Sequence, residues 1–252
     1  MSTAYVNYTL EKHIARITFF HPQSNSLPGH LLQQLADTIT DLGNHSEVRV
    51  IILQSAGERA FCAGASFDEL VSIKNETEGL NFFSGFAKVI NAMRTCPKFI
   101  IGRVHGKAVG GGVGIAAAVD YCFAHQNAAI KLSELAVGIG PFVVGPAVQR
   151  KVGLSAFSQL AINATQWQSA SWAQQKGLYA EVFDTTEALD ENINTLAQTL
   201  ADSNPEAMKA LKSIFWENTD HWNELLAARA ATSGTLVLSD FTRNAIAAFK
   251  KA

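Results

Sequence analysis

Apolar and polar side chains alternate at the start of the chain. Residues 5–10 and 14–20 each follow this period of two, which is typical of a hairpin with one buried face. After Pro28-Gly29, apolar residues instead recur at steps of three and four, so the pattern predicts a helix that ends near Gly43. The chain is therefore expected to begin with two strands and a helix.

A similar order of elements then returns along the sequence. Residues 48–53 and 99–104 are apolar runs that predict short buried strands, and residues 80–93 between them have helical spacing. A helix of small residues is expected after the triple glycine that starts at Gly110. Such recurrence suggests stacked turns of a spiral in an α/β protein, although the repeats share no detectable sequence identity.

The composition changes beyond Gly145, where Ala, Leu, Gln and Asn dominate. No Pro- or Ser-rich linker separates this part from the front, so we expect it to pack on the core or on a neighbouring subunit. We divide the chain into a spiral core of residues 1–195 and a helical C-terminal region of residues 196–252. Asn204-Pro205 marks one clear break between helices, because proline starts a helix but cannot continue it. Helices are predicted at residues 146–152, 155–163, 169–176, 186–202, 205–217, 221–232 and 238–250.

Composition and charge argue against several classes of function. The 252 residues carry a net charge of −2 with scattered Lys and Arg, so nothing favours nucleic acid or a membrane surface as partner. The start of the chain lacks the pattern of a signal peptide, and no apolar run is long enough to cross a bilayer, so we expect a cytoplasmic protein. No paired Cys or His spacing suggests a metal site. The odd number of cysteines argues against a disulfide framework, and we expect them to be reduced and mostly buried: Cys62, Cys96 and Cys122.

Two loops are rich in small residues. In AFCAGASFDEL, Gly64 lies between Ala63 and Ala65 just after a predicted strand, so the backbone can approach a ligand without an intervening side chain. In VHGKAVGGGVGIAAAVD, the triple glycine starts a helix, where unpaired N–H groups and the helix dipole favour negative charge. Two such amides that converge on one oxygen form an oxyanion hole.

The segments FCAGA, VHGKAVGGG and AIKLSELAVGIG occur in an order and spacing that resemble the crotonase superfamily of enoyl-CoA hydratases and isomerases. The similarity covers nearly the whole chain. It implies a spiral of ββα units with a helical trimerisation region, and assembly as a homotrimer or a hexamer of two stacked trimers. It also implies an acyl-CoA thioester as substrate, with coenzyme A as part of that substrate and with no separate cofactor.

The resemblance assigns roles to individual positions. The two backbone amides that hold an enolate anion fall on Ala65 and Gly111, and the general acid/base glutamate falls on Glu134. Backbone of the two glycine loops would line the thioester, and the aromatic residue in IGPFVVG would shape an apolar acyl pocket. The positions expected to bind substrate in this way are Ala63, Gly64, Gly110 and Phe142.

One departure from the family pattern bears on the reaction. Hydratases of the family usually carry a second glutamate two residues after the triple glycine, where this chain has Gly114. Moving a double bond needs one base that removes a proton and returns it elsewhere, whereas adding water is helped by two carboxylates. The sequence therefore favours Δ3,Δ2-enoyl-CoA isomerisation. A hydratase that uses one glutamate and a non-catalytic acyl-CoA-binding homologue remain as alternatives.

Other departures from the family pattern concern the binding of coenzyme A. The family's basic residue before the early proline is His21 here, and its C-terminal phosphate-binding lysine is replaced by Ala252. We expect Lys250 or Lys251 to reach the phosphate instead, with weaker binding of coenzyme A.

Several other residues allow simpler interpretations. The pattern Gly112-x-Gly114-x-x-Ala117, followed by Glu134, mimics a dinucleotide-binding fingerprint, but several residues separate the preceding strand from its first glycine. His105 is expected to stabilise a turn rather than to act in catalysis.

Charged residues near the two loops are also open to a structural interpretation. Asp68 and Glu69 open a helix after the CAG loop and are expected to act as capping residues. Lys107 and Lys131 flank the predicted site and are either surface residues or partners of Glu134 or a phosphate.

Overall fold

The computed structural model describes residues 3–249, without the side chain of Phe249. The strands are β1 Tyr5–Glu11, β2 Ile14–Phe20, β3 Ser26–Leu27, β4 Val50–Ser55, β5 Ala60–Cys62, β6 Gly64–Ala65, β7 Phe99–Val104, β8 Lys107–Val109, β9 Tyr121–His125, β10 Ile130–Lys131 and β11 Glu181–Phe183. The helices are α1 Gly29–Asn44, α2 Phe67–Ser72, α3 Glu76–Thr95, α4 Gly111–Ala118, α5 Gly145–Ile162, α6 Ala170–Gln175, α7 Thr186–Ala201, α8 Pro205–Phe215, α9 Trp222–Leu236 and α10 Asp240–Phe249. A 3₁₀ helix covers Glu134–Val137.

Strands are added alternately to one large sheet and to two small ones. The six-stranded sheet has the order β1-β2-β4-β7-β9-β11, and all its pairs are parallel except β1 with β2. The second strand of each successive pair joins a small sheet, either β3-β6 or β10-β8-β5, before the chain enters a helix. This repetition confirms the predicted α/β spiral of ββα units.

The large sheet is buried on both faces, as expected for parallel strands. One face packs with α1, α3 and α4 in the main apolar core. On the other face, Val50, Ile52 and Ile101 pack against Leu189 and Ile193 of α7. The predicted boundary between residues 195 and 196 falls inside α7, and the division of the chain at that point stays a prediction.

Periodicity located the long elements but not all of the short ones. Helix α1 and strand β7 form close to the predicted positions, whereas β4 begins and ends two residues later than predicted. The two helices predicted at 146–152 and 155–163 correspond to α5, which is interrupted where Gly153 adopts φ 77° and ψ 163°. The short strand β11, parallel to β9, lies in the part of the chain where only helices were predicted.

The C-terminal helices fold back over the spiral. Helix α9 crosses α3 where Gly79 meets Gly234, and a Cβ on Gly79 would lie 2.7 Å from the Cα of Gly234. Helix α10 packs on the 3₁₀ helix, because a Cβ on Gly138 would lie 2.5 Å from Thr242 Oγ1 and 2.6 Å from Phe241 Cδ1. The last described helix therefore covers the segment that begins at Glu134.

The topology also bears on the pattern that mimics a dinucleotide-binding fingerprint. Strand order in the large sheet follows the chain without reversal, so the sheet lacks the topological switch point at which dinucleotides bind, and Gly112 lies inside α4. Within residues 3–249, none of the helices combines the length and apolar character required to span a bilayer.

Candidate active site

Strand β6 presents the backbone of Ala65 at the edge of a small sheet. It pairs with β3 in parallel, with Ala65 opposite Leu27. The Ser66 N–H donates to the Leu27 carbonyl at 3.0 Å, and Ser26 Oγ donates to the Ala65 carbonyl at 2.9 Å. Because alternate amides of a parallel strand face the same neighbour, the N–H of Ala65 points away from β3. This orientation leaves the amide available to a ligand.

Gly64 brings this strand close to the start of α4. Its φ of +94° lies in the region that favours glycine. A Cβ on Gly64 would lie 3.2 Å from the Val109 carbonyl oxygen and 3.7 Å from Gly111 N. The residue before Ala65 is therefore in close contact with the first amide of α4.

Helix α4 begins with unpaired amides. Gly110 precedes it with φ 52° and ψ −114°, a conformation open to glycine. Its carbonyl accepts hydrogen bonds from Val113 and Gly114, whereas Gly111 and Gly112 are first-turn residues whose N–H groups have no partner within the helix. The helix start thus offers amide donors and the positive end of a dipole beside Gly64.

Two close contacts explain why glycine is needed on this helix. A Cβ on Gly111 would overlap the buried ring of Phe86, and one on Gly112 would overlap the carbonyl of Cys62. These contacts set the depth of α4 against β5 and α3. Cys62 is itself buried and free, as predicted, and burial raises the pKa of its thiol to about 12.

The Glu134 carboxylate lies beside Gly110, at the start of α4. The Gly110 N–H donates to the carbonyl of Lys131 at 2.9 Å, which ties the glycine loop to the segment before the 3₁₀ helix. A Cβ on Gly110 would lie only 2.9 Å from Glu134 Oε1. The structure therefore brings Gly64, Gly110, Gly111 and the Glu134 carboxylate together.

The Glu134 carboxylate is held in an environment that disfavours its charge. Although the residue as a whole is partly exposed, Oε2 is buried and has no hydrogen-bond partner among the described residues. Burial raises the pKa of this carboxyl from 4.5 to about 7, a shift that a hydrogen bond from its own backbone opposes. Such a group exchanges protons readily near neutral pH.

The raised pKa predicts a pH-dependent cost to stability. Below the unfolded-state pKa of 4.5 the carboxyl is protonated in both states, so it costs nothing; the penalty grows between pH 4.5 and about 7 as the buried group must ionise. Glutamine carries no such penalty, so Glu134→Gln should be more favourable to stability at pH 8 than at pH 5. We expect this difference in the free energy of unfolding to be on the order of 2–3 kcal/mol, which corresponds to several degrees in Tm. Thermal melts of both proteins at both pH values measure this. Exposed Glu191→Gln is the control, and equal effects of Glu134→Gln at pH 5 and pH 8 would contradict the prediction.

The remaining predicted site residues are placed as follows. The Ala63 N–H donates to the carbonyl of Ser24 at 3.2 Å, so this residue helps to anchor the loop. The ring of Phe142 folds back over Gly140, and its part in an acyl pocket stays a prediction. Lys250 and Lys251 lie outside the described residues.

The lysines that flank the site do not pair with Glu134. Lys107 Nζ and Lys131 Nζ lie 4.9 Å and 4.6 Å from the centre of the Trp167 ring. The salt bridges between described residues are Arg103 with Asp190 and Lys212 with Asp120, so the suggested pairing of either lysine with Glu134 is wrong. The aromatic ring attracts both cations away from the carboxylate.

His105 does not stabilise a turn through hydrogen bonds, contrary to expectation. Both of its ring nitrogens are buried and find no partner in the part of the chain that the structure covers. Burial and the nearby charge of Arg103 lower the pKa of its imidazole to about 4, so the ring is neutral at physiological pH.

The acids of α2 have partners other than the expected cap. Ser66 caps the helix, since its side chain accepts from Glu69 N at 3.3 Å. Asp68 accepts from Gln23, and Glu69 accepts from the Gly29 N–H at 2.9 Å. These two carboxylates thus link α2 to the chain around α1.

Asn25 and Arg59, which line a cavity beside the loop, were not singled out by the sequence analysis. Buried Asn25 donates to the carbonyls of Ala56 and Ala60 at 2.8 and 2.9 Å, with φ 56°. A cavity of about 300 Å³ lies beside these bonds, lined in part by His21 and Arg59. The buried asparagine in HPQSNSL was the available signal, because asparagine tolerates a positive φ.

Comparisons with known proteins identify the family of the chain. The family model described as "Enoyl-CoA hydratase/isomerase" matches residues 9–249. A short-chain-enoyl-CoA hydratase from Clostridium acetobutylicum is 32% identical over 210 residues, which is 82% of this chain and 79% of the relative. A peroxisomal Delta(3,5)-Delta(2,4)-dienoyl-CoA isomerase from Arabidopsis thaliana is 25% identical over 240 residues, covering 89% of this chain and 84% of that protein.

A solved structure supports the fold over the same extent. The crystal structure of enoyl-CoA hydratase from Bacillus halodurans superposes with a TM-score of 0.90 at 20% identity, over 97% of this chain and 99% of that one. This likeness concerns the fold, whereas the family follows from the sequence match over nearly the whole chain. The chain therefore belongs to the enoyl-CoA hydratase/isomerase family, as the resemblance of its loops predicts.

Proposed function

We propose that this protein isomerises 3-enoyl-CoA thioesters to 2-enoyl-CoA thioesters, with Glu134 as the base that moves the proton. The observation that carries the proposal is the buried Glu134 carboxylate beside Gly110 and Gly111, in a family that acts on enoyl-CoA. Gly114 stands where a second glutamate would be expected for hydration. A single acid/base group is sufficient for a shift of the double bond.

In this mechanism the thioester carbonyl oxygen accepts hydrogen bonds from Ala65 N–H and Gly111 N–H. The two amides are fixed before substrate arrives, by the β3–β6 pairing and by the contact of Phe86 with Gly111. They stabilise the charge that collects on the oxygen when a proton leaves C2. One such donor contributes roughly 2.7–4 kcal/mol to transition-state stabilisation in well-studied cases.

Glu134 then transfers the proton between two carbons. Its carboxylate takes the proton from C2, and the electron pair of that C–H bond forms an enolate conjugated with the double bond between C3 and C4. Return of the proton to C4 forms a new C–H bond and leaves the double bond between C2 and C3. A pKa of about 7 suits a group that must act as base and then as acid.

Hydration of 2-enoyl-CoA is the second candidate. It is favoured by the relative named short-chain-enoyl-CoA hydratase, which is 32% identical to this chain. In that reaction Glu134 would take a proton from water as the oxygen attacks C3, and would return a proton to C2. The same two amides would hold the enolate.

A substrate panel separates these functions. The protein is incubated with 3-enoyl-CoA, 2-enoyl-CoA and 3-hydroxyacyl-CoA, and products are followed by chromatography and mass spectrometry. Isomerisation predicts conversion of 3-enoyl-CoA to 2-enoyl-CoA without gain of water, whereas hydration predicts exchange between 2-enoyl-CoA and the hydroxy thioester. Binding of coenzyme A without any conversion would instead identify a non-catalytic homologue and refute the proposal.

We also propose that the cavity lined by His21 and Arg59 receives part of coenzyme A. Arg59 is exposed at its rim, while burial and the nearby charge of His30 lower the pKa of His21, so Arg59 is the better phosphate partner. Arg59→Gln is expected to weaken coenzyme A binding roughly two- to fivefold, as loss of one exposed charge contact should. Calorimetric titration measures this, with exposed Lys176→Gln as control. An unchanged Kd, or an equal loss in the control, would remove Arg59 from the site.

We propose a homotrimer or a dimer of trimers, since the family resemblance implies a trimerisation region in the C-terminal helices.

A further inference from the structure

Position 114 of α4 packs directly against Val144. A Cβ built on Gly114 would lie 2.5 Å from Val144 Cγ1 and 2.8 Å from Val144 Cβ. Both residues are buried, so neither can turn into solvent. Cβ atoms in folded proteins essentially never approach another heavy atom this closely, so a side chain at position 114 is incompatible with Val144 in its present place.

Val144 has no simple way to move aside. A rotamer change does not relieve the overlap, because rotation about χ1 leaves the Val144 Cβ where it is. Its backbone is also held: Gly145 N donates to the Pro141 carbonyl at 2.8 Å, and Val148 N donates to the Val144 carbonyl at 3.1 Å. Val144 is the N-cap residue of α5, and Pro146 restricts the next turn. A side chain at position 114 therefore either displaces this backbone at a cost in stability or needs a smaller residue at position 144.

The blocked position lies next to the proposed chemistry. Gly114 follows Gly111 by three residues, and residues three apart share one face of a helix. The Gly114 N–H also donates to the Gly110 carbonyl at 3.2 Å, in the first turn of α4. A carboxylate on position 114 would thus begin from the same helical face as the Gly111 amide, and would add a second acid/base group to Glu134.

We propose that Val144 determines the reaction specificity of this site, because it fills the volume that a second carboxylate at position 114 needs. The inference rests on the proposed single-base function of Glu134. With one carboxylate, the site moves a proton between carbons of the substrate. A second carboxylate would orient and activate a water molecule at C3, and Val144 leaves no volume for its side chain at position 114.

The steric part of the proposal is tested by a double-mutant cycle. Gly114→Ala is expected to lower Tm by several degrees, because the methyl group is forced into Val144. In the Val144→Gly background, the nearest remaining atom of residue 144 is Cα, 3.6 Å from the new Cβ at position 114. Gly114→Ala should therefore lower Tm much less in that background. Val143→Gly is the matched control, since it removes a neighbouring buried valine without opening position 114. Equal costs of Gly114→Ala in all backgrounds would overturn the proposal.

The specificity part is tested by product ratios. The variant Gly114→Glu with Val144→Gly is expected to raise the ratio of hydration to isomerisation by about tenfold or more over both wild type and Val144→Gly alone, given what one positioned acid/base group contributes. A folded double variant whose ratio is unchanged would overturn the proposal. If wild type fails to isomerise 3-enoyl-CoA, the proposed function falls, whereas the thermal coupling between positions 114 and 144 still decides whether Val144 excludes a side chain there.

Discussion

Replacement of Glu134 by glutamine should lower kcat/KM on 3-enoyl-CoA by roughly 10²–10⁴-fold, which is the usual contribution of a positioned acid/base group to the rate. Glutamine keeps the shape of the side chain but cannot accept the C2 proton. Because Oε2 is buried, solvent water does not readily take over as proton acceptor in this variant. Steady-state kinetics on the purified protein measure the loss, and coenzyme A affinity should change little.

The pH dependence of wild type provides an independent check on that assignment. The base must be ionised in the free enzyme, so kcat/KM should rise with pH and level off above about 7. Glu191→Gln, on the exposed surface of α7, should leave both the rate and the profile unchanged. A turnover within a few-fold of wild type in Glu134→Gln, for every unsaturated thioester tried, would show that another group carries the proton.

Gly111→Ala should reduce kcat by roughly 10²–10³-fold, because its new methyl group would overlap the ring of Phe86 and displace the first amide of α4. The amide contributes mainly when charge develops on the thioester oxygen, so binding of coenzyme A should suffer less than turnover. Comparison of kcat with the Kd for coenzyme A measures the two effects separately.

Gly29→Ala is the matched control for that experiment. A Cβ on Gly29 would lie 3.6 Å from Glu69 Oε2, an ordinary contact, and the residue begins α1 rather than α4. If Gly111→Ala retains near-normal kcat while folding normally, then the amide of Gly111 does not serve the oxyanion. A loss of kcat in Gly29→Ala of similar size would show that the effect is general rather than local.

Hydrophobic periodicity predicted the long elements because burial on one or both faces leaves a mark over many residues. The apolar positions of α1 and the continuous run of β7 are of this kind. Strands β3, β6 and β10 have two residues each, too few to show a period. They form because the spiral brings their neighbours alongside, which local sequence does not record.

The candidate site was predictable in a different way. Gly111 and Glu134 were located by the spacing of motifs, since backbone amides and a lone glutamate have no distinctive local pattern. Phe86 and Val144 were missed because each acts through a glycine distant in sequence, and ordinary apolar residues carry no sign of such a partner. The failed pairing of Lys131 with Glu134 has a similar cause: the competing Trp167 ring is nearby only in the folded chain.

The packing of α10 on the 3₁₀ helix has a consequence for biosynthesis. Thr242 and Phe241 close over Gly138, yet they are made about a hundred residues after Glu134. The ribosome must therefore synthesise the chain as far as Thr242 before α10 can cover the segment that begins at Glu134. The earlier ββα units can fold during synthesis, but catalytic activity should appear only after α10 has been synthesised.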